Sequence, residues 1–274
     1  MRKLAIGACI GCAILAGALP VRAADRTDWS GFYVGLNAGV GWGETKYRSI
    51  NDVPLFTAFT LGTFNIPASN GTVRSTKGDD TNALGGGQFG FNWQAGNVIF
   101  GAEADYDGTA LRESAVGAGI ANGDTNNVRS NYQTVNAKYF ADTNWLASLR
   151  GRLGFKQDSL MVYATGGVAF ANATLDTSFV EVNGGNIIPA NVVSILTTKG
   201  GSKIHTGWTI GAGGEWAINT AWSVAAEYRF SDFAYHTYDA GIANAAFASD
   251  PRLSAKMKLA VDQVTIRLNY RFGA

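Results

Sequence analysis

The chain has 274 residues, 46% hydrophobic and 16% charged, with 35 glycines, two histidines, two cysteines and a formal net charge of +1. That near-neutral balance excludes a general nucleic-acid binder, and a cysteine pair confined to Cys9 and Cys12 excludes a disulfide framework in the body of the chain. No capped helical period and no linker-like break in composition stands out, so the chain reads as one all-β unit of strands and loops.

Arg2 and Lys3 precede an apolar run from Leu4 to Leu19, and Val21-Arg22-Ala23 supplies the small residues that a signal peptidase needs. The run ends in Pro20 and is short of the roughly 20 residues of a spanning helix. Residues 1–23 are therefore expected to be a cleaved secretory leader, leaving residues 24–274 as the mature domain. Loss of Arg2, Lys3 and Arg22 leaves 19 basic against 21 acidic residues, a net charge near −2, and no cysteine.

Phe32, Val34, Leu36, Ala38, Val40 and Trp42 share one parity and Tyr33, Gly35, Asn37, Gly39 and Gly41 the other, the period of two that a strand presents as two faces. The second stretch, Leu84 to Trp93, turns at Gln94 to Asn97 into Val98 to Tyr106, a hairpin with one short connection. Trp145 to Phe155 turns at Lys156 to Ser159 into Leu160 to Phe170. Trp208 to Trp216 turns at Ile218 to Ala221 into Trp222 to Phe230. Val264, Ile266, Leu268, Tyr270 and Phe272, interleaved with Thr265, Arg267, Asn269 and Arg271, make the eighth. The expected architecture is an all-β, eight-stranded antiparallel up-and-down transmembrane β-barrel, with short periplasmic turns and long extracellular loops. Those loops are expected at Glu44 to Asp80, Asp107 to Thr143, Leu175 to Lys203 and Ser231 to Asp262, interrupted by apolar islands at Val53 to Ile66, Ile187 to Leu196 and Ala243 to Ala248.

Two features favour a membrane over water as the outer medium. Every charge inside the eight stretches falls on the glycine-rich parity: Glu103, Asp105, Arg150, Arg152, Glu215, Glu227, Arg229, Arg267 and Arg271. A soluble barrel needs the reverse arrangement. The large aromatics also fall on the apolar parity in two sets spaced by roughly 20–25 Å, as interface anchors would be. Trp42, Tyr106, Trp145, Phe170, Trp208 and Phe230 form one set, and Phe32, Trp93, Phe155, Trp216, Trp222 and Phe272 the other. The interior charges are expected to pair as a plug, since an unpaired charge in a narrow lumen costs several kcal/mol.

These stretches resemble the alphaproteobacterial outer-membrane immunogenic proteins, porin-like barrels similar in shape to the OmpA transmembrane domain. The resemblance rests on Trp29 to Gly35, Gly85 to Gln94, Gly101 to Asp105, Arg150 to Gly154, Tyr163 to Ala169, Gly207 to Glu215, Glu227-Tyr228 and Asn269 to Phe272. It implies an abundant surface-exposed envelope protein with no assigned catalytic residues. The chain departs from the usual pattern in carrying Gly273 and Ala274 after the terminal aromatic.

The expected role is therefore structural and antigen-like in the outer membrane of a Gram-negative cell. A narrow passive pore for small solutes is the alternative. A lipid-modifying enzyme using His205 or His236 with Ser231, Asp232 or Asp239 is third, and no nucleophile motif supports it. The two histidines are expected to be solvated rim residues. Gly85-Gly86-Gly87 lies within a strand and is no phosphate-cradling loop, and no cofactor or metal is expected. Expected partners are outer-membrane lipid and lipopolysaccharide, the barrel-assembly machinery and an extracellular ligand at the loops.

Overall fold

The computed structural model describes residues 28–50, 59–61, 64–66, 76–123, 131–184, 192–240 and 253–272, with side chains described over 28–47, 80–116, 138–176, 201–238 and 256–272. The leader, Gly273, Ala274 and the island from Ala243 to Ala248 lie outside the described residues. So do parts of the islands at Val53 to Ile66 and Ile187 to Leu196.

The strands are β1 (Gly31–Ile50), β2 (Phe59–Leu61), β3 (Phe64–Ile66), β4 (Thr76–Ala95), β5 (Val98–Gly123), β6 (Asn131–Gln157), β7 (Leu160–Gly184), β8 (Val192–Ala217), β9 (Trp222–Phe233), β10 (His236–Ala240) and β11 (Leu253–Arg271). Among the described residues, eight of them form one antiparallel sheet in the order β1-β4-β5-β6-β7-β8-β9-β11. The ladder from Tyr33↔Arg271 to Ile50↔Ser254 joins β11 back to β1 and closes the barrel. β10 pairs with β11 above the end of β9, and β2 and β3 form a separate ribbon.

The short turns fall where the alternating stretches break. Gly96 and Asp158 occupy the first positions of the β4–β5 and β6–β7 turns with φ of 65° and 53°. Glycine reaches that left-handed region at no steric cost, and aspartate tolerates it better than most residues.

The long loops differ from the expectation. β1, β5, β7 and β9 run past Glu44, Asp107, Leu175 and Ser231, and β4, β6, β8 and β11 begin at Thr76, Asn131, Val192 and Leu253, so most of the presumed loop sequence near the barrel continues the wall. The reason lies in a reversal of polarity along each strand. On β11, Val264, Ile266 and Leu268 point outward while Gln263, Thr265 and Arg267 point inward. Farther up, Lys256, Lys258 and Asp262 take the outward positions, and Met257, Leu259 and Val261 are buried inside. β1 makes the same exchange between Trp42 and Glu44 outside, with Tyr47 buried within. A strand between lipid and lumen thus becomes, above the aromatic ring, a strand between water and an apolar core.

The ring residues all face outward. Trp42, Tyr106 and Trp208 are exposed, while Trp145, Phe170 and Phe230 are half-buried against their neighbours. Tyr106 stacks on Trp145 at 5.6 Å and Trp208 meets Phe230 edge-on at 5.5 Å. In the lower ring Phe32, Trp93, Phe155, Trp216, Trp222 and Phe272 are exposed, and Tyr270 bridges Trp222 and Phe272 at 5.1 Å each.

Leu149 lies midway between the rings, 61% exposed on the outer face. Leu149→Arg is expected to weaken folding into lipid vesicles by about 2–4 kcal/mol, read from the denaturant dependence of the folded fraction.

Candidate functional site

The lumen is where the described structure concentrates its buried ionisable side chains, and the alternation of each strand aims them there. β5 supplies Glu103, Asp105 and Asp107, β6 supplies Ser148, Arg150 and Arg152, and Glu215, Glu227, Arg229 and Arg267 come from β8, β9 and β11. All are buried. Glycine on the same parity provides the room. A Cβ at Gly90 would lie 2.5 Å from the Tyr33 ring, and one at Gly213 would lie 2.6 Å from the Tyr163 hydroxyl.

Arg150 is the hub. Its Nη2 donates to Glu103 and lies 3.0 Å from Asp105 Oδ2, and its Nη1 donates to Glu227 at 2.6 Å. Arg267 joins the same two glutamates from the opposite wall, donating to Glu103 and Glu227 at 2.7 Å each. Arg229 donates to Asp105 and Asp107 at 2.6 Å each. Tyr33 donates to Glu103 at 2.6 Å and Tyr163 to Glu227 at 3.0 Å, while Ser148 donates to Asp105. Two arginines bridging two glutamates form a square of charge-assisted bonds that ties β5, β6, β9 and β11 together across the lumen.

A second pair sits nearer the short turns. Arg152 donates to Glu215 and lies 3.7 Å over the Tyr163 ring, and Glu215 also accepts from Ser223 at 2.5 Å and Asn269 at 2.9 Å. Asn269 accepts from Gln88, and Asn37 donates to both Gln88 and Asp107.

Two corrections follow. Asp107, read as the first loop residue, is fully buried on Arg229. Arg271, grouped with the interior charges, makes no described ion pair: it stacks on Trp29 at 4.4 Å and donates to the Asp28 carbonyl at 2.8 Å. Trp29 itself is buried with Ile99, Met161, Tyr163 and Ala217, and its amide donates to Gln94 Oε1 at 2.9 Å, closing the end of the barrel that carries the short turns. Sequence parity alone signalled Asp107, because it continues the inward series of Glu103 and Asp105. Trp29 precedes β1 and had no such signal.

Above the ionic layer the lumen is mostly apolar, with Thr45, Glu113, Thr143 and His205 buried among the apolar side chains. Leu111, Leu146, Phe233, Leu259 and Val261 pack in one cluster, and Tyr47, Tyr139, Leu175, Tyr238 and Met257 in another, with Tyr47 and Tyr139 stacked at 5.0 Å. Between ionic and apolar layers, Asp105, Ser148, Arg229 and Gln263 border a cavity of about 10 Å³. It is of a size to hold a single water, which would serve Gln263 Nε2, an amide without a protein partner among the described residues.

His205 corrects another expectation, that of a solvated rim residue. His205 is buried, its Nε2 lies 2.6 Å from the Tyr238 hydroxyl, and that hydroxyl donates to the Ala173 carbonyl. With its own hydrogen on Ala173, the Tyr238 hydroxyl accepts a hydrogen bond from His205, whose Nε2 carries the hydrogen in the neutral ring. His236 lies against it at 4.2 Å between ring centres. Ser231 is an interior residue donating to Thr209, whereas Asp232 faces outward on Lys258, so the described members of the Ser/His/Asp set point to different places. The Asp239 side chain lies outside the described residues.

A family model described as an outer membrane protein beta-barrel domain matches residues 12–272. The chain is 30% identical to a 31 kDa outer-membrane immunogenic protein of Brucella melitensis over 250 residues, 90% of this chain and 85% of that one. It is 26% identical to a 22 kDa outer membrane protein of Rhizobium leguminosarum over 223 residues, 80% and 71% of the two chains. Among solved structures it is similar to the outer membrane protein OprG from Pseudomonas aeruginosa, with TM-score 0.41, 13% identity and coverage of 89% and 97%.

Removing the hub strands buried carboxylates, so Arg150→Ala is expected to cost about 3–5 kcal/mol of unfolding free energy. An unchanged denaturation midpoint would refute the plug. Burial, with smaller contributions from His236 and Lys203, holds the pKa of His205 down at about 4, against an ordinary 6.5. Between those values the unfolded chain binds the proton and the folded one does not. Stability is thus expected to fall as the pH drops from 6.5 toward 4, and His205→Gln to flatten that slope in thermal unfolding.

Proposed function

The chain belongs to the outer membrane protein beta-barrel domain family, and from that membership we propose that it serves as a closed structural barrel displaying its loops at the cell surface, not as a channel. It is an integral protein of the outer membrane. The observation that carries the proposal is the stacking of three filled layers along one lumen: Trp29 with Ile99 and Met161 at the bottom, the arginine–carboxylate layer, and the apolar clusters above.

A passing ion needs a continuous polar route. Even if the ionic layer rearranged, Leu111, Leu146, Phe233, Leu259 and Val261 would still close the lumen above it, and a hydrophobic constriction of that kind excludes water and ions together. The names of the Brucella relatives, immunogenic outer-membrane proteins, support surface display by this chain as well.

Single-channel recording on the refolded protein in a planar bilayer tests the proposal. Verified inserted barrels are expected to give no defined current steps. Stable steps of one size would overturn it and put a narrow passive pore for small solutes in its place.

A further inference from the structure

The outer face of β9, β11 and β1 is layered just above the upper aromatic ring. Trp42, Asp262 and Phe230 share one level, and Glu44 and Asp232 stand one residue pair higher. Lys46 and Lys258 stand a further pair higher, directly opposite each other in the β1–β11 register. The β1–β4 register also sets Lys46 opposite Lys77, and Arg48 faces Lys256 on the next level up. Like charges placed directly opposite across a ladder oppose sheet formation, so the Lys46–Lys258 pairing works against the fold that carries it.

Lys46 and Lys258 each hold one carboxylate. Lys258 Nζ lies 2.8 Å from Asp232 and Lys46 Nζ 3.3 Å from Glu44, with side chains 28% and 37% exposed. An ammonium has three donors, so one carboxylate contact leaves donors on each lysine for another anion. Between them opens a cleft of about 130 Å³ lined by Glu44, Lys46, Phe230, Asp232, Lys258 and Asp262. Its lower edge, Phe230, belongs to the ring that lies against lipid.

We propose that Lys46 and Lys258 bind a phosphate on a lipid headgroup of the outer leaflet, as lipopolysaccharide carries. Depth selects the lipid over a soluble anion: the row stands two residue pairs above the aromatic ring, about where phosphates stand above the hydrocarbon, and the cleft is continuous with the lipid-facing wall. The carboxylates one level lower hold the ammoniums in place and repel an anion that would sink farther. This site is independent of whether the lumen conducts.

The test uses the refolded barrel in zwitterionic vesicles containing phosphorylated lipid A, its dephosphorylated form, or added inorganic phosphate. Phosphorylated lipid A is expected to raise the thermal unfolding midpoint, by less at high salt. The Lys46→Gln/Lys258→Gln double variant should lose most of that rise while keeping its midpoint in zwitterionic lipid. Lys138→Gln, an exposed lysine on β6, should keep the rise, as should Lys46→Arg/Lys258→Arg. An equal rise with dephosphorylated lipid or with inorganic phosphate, or an undiminished rise in the double glutamine variant, would overturn the proposal.

Discussion

Inside hydrocarbon there is no water to satisfy a backbone amide or carbonyl, so a sheet that crosses a bilayer cannot have an edge. The ladder between β1 and β11 meets that requirement by joining the two ends of the chain. The rest of the structure depends on it. With eight strands, closure makes a lumen too narrow to be left open and too wide to be filled by backbone, and what fills it is decided strand by strand.

The filling solves two problems together. Tyr33 and Tyr163 lie against Gly90 and Gly213, so bulky polar rings occupy space that the paired neighbouring strand leaves free. Their hydroxyls then reach Glu103 and Glu227, the acids shared by Arg150 and Arg267. A buried ion pair adds little stability compared with a well-packed apolar pair. It does distinguish the two faces of a strand, because a one-residue slip in register would turn these charges toward lipid. The ionic layer thereby specifies which way each strand faces, and the apolar layer above it supplies the packing.

Much of this was legible in the sequence, and the limits were physical. Alternation marked the eight stretches and their short turns because lipid and a charged lumen are strongly different media. The inward set from Glu103 through Arg267 was visible for the same reason, although parity could not say that Arg150 contacts Glu227 or that Arg229 contacts Asp107. The upper wall was misread as loop because its alternation survives with the sign exchanged: Lys256, Met257, Lys258 and Leu259 are an ordinary water-facing strand, but they oppose the pattern established lower on β11. Arg271 was misplaced because parity reports a face and not a height, and at its height the partner is Trp29 and not a carboxylate. Burial of His205 depends on Tyr238, which reaches it from β10 alongside β8, a juxtaposition no local pattern contains.

The exchange of polarity also bears on how the molecule sits in the bilayer. On β1 it takes one residue pair, from Trp42 to Glu44, and on β9 another, from Phe230 to Asp232. Sinking the barrel by one such step would push Glu44, Asp232 and their lysine partners toward hydrocarbon all along that wall, while raising it would lift the lower aromatics out of their interface. A shell this stiff cannot adjust its own hydrophobic height. Where the surrounding membrane is thicker or thinner than the band between the rings, it is the lipid that must stretch or compress to meet the protein.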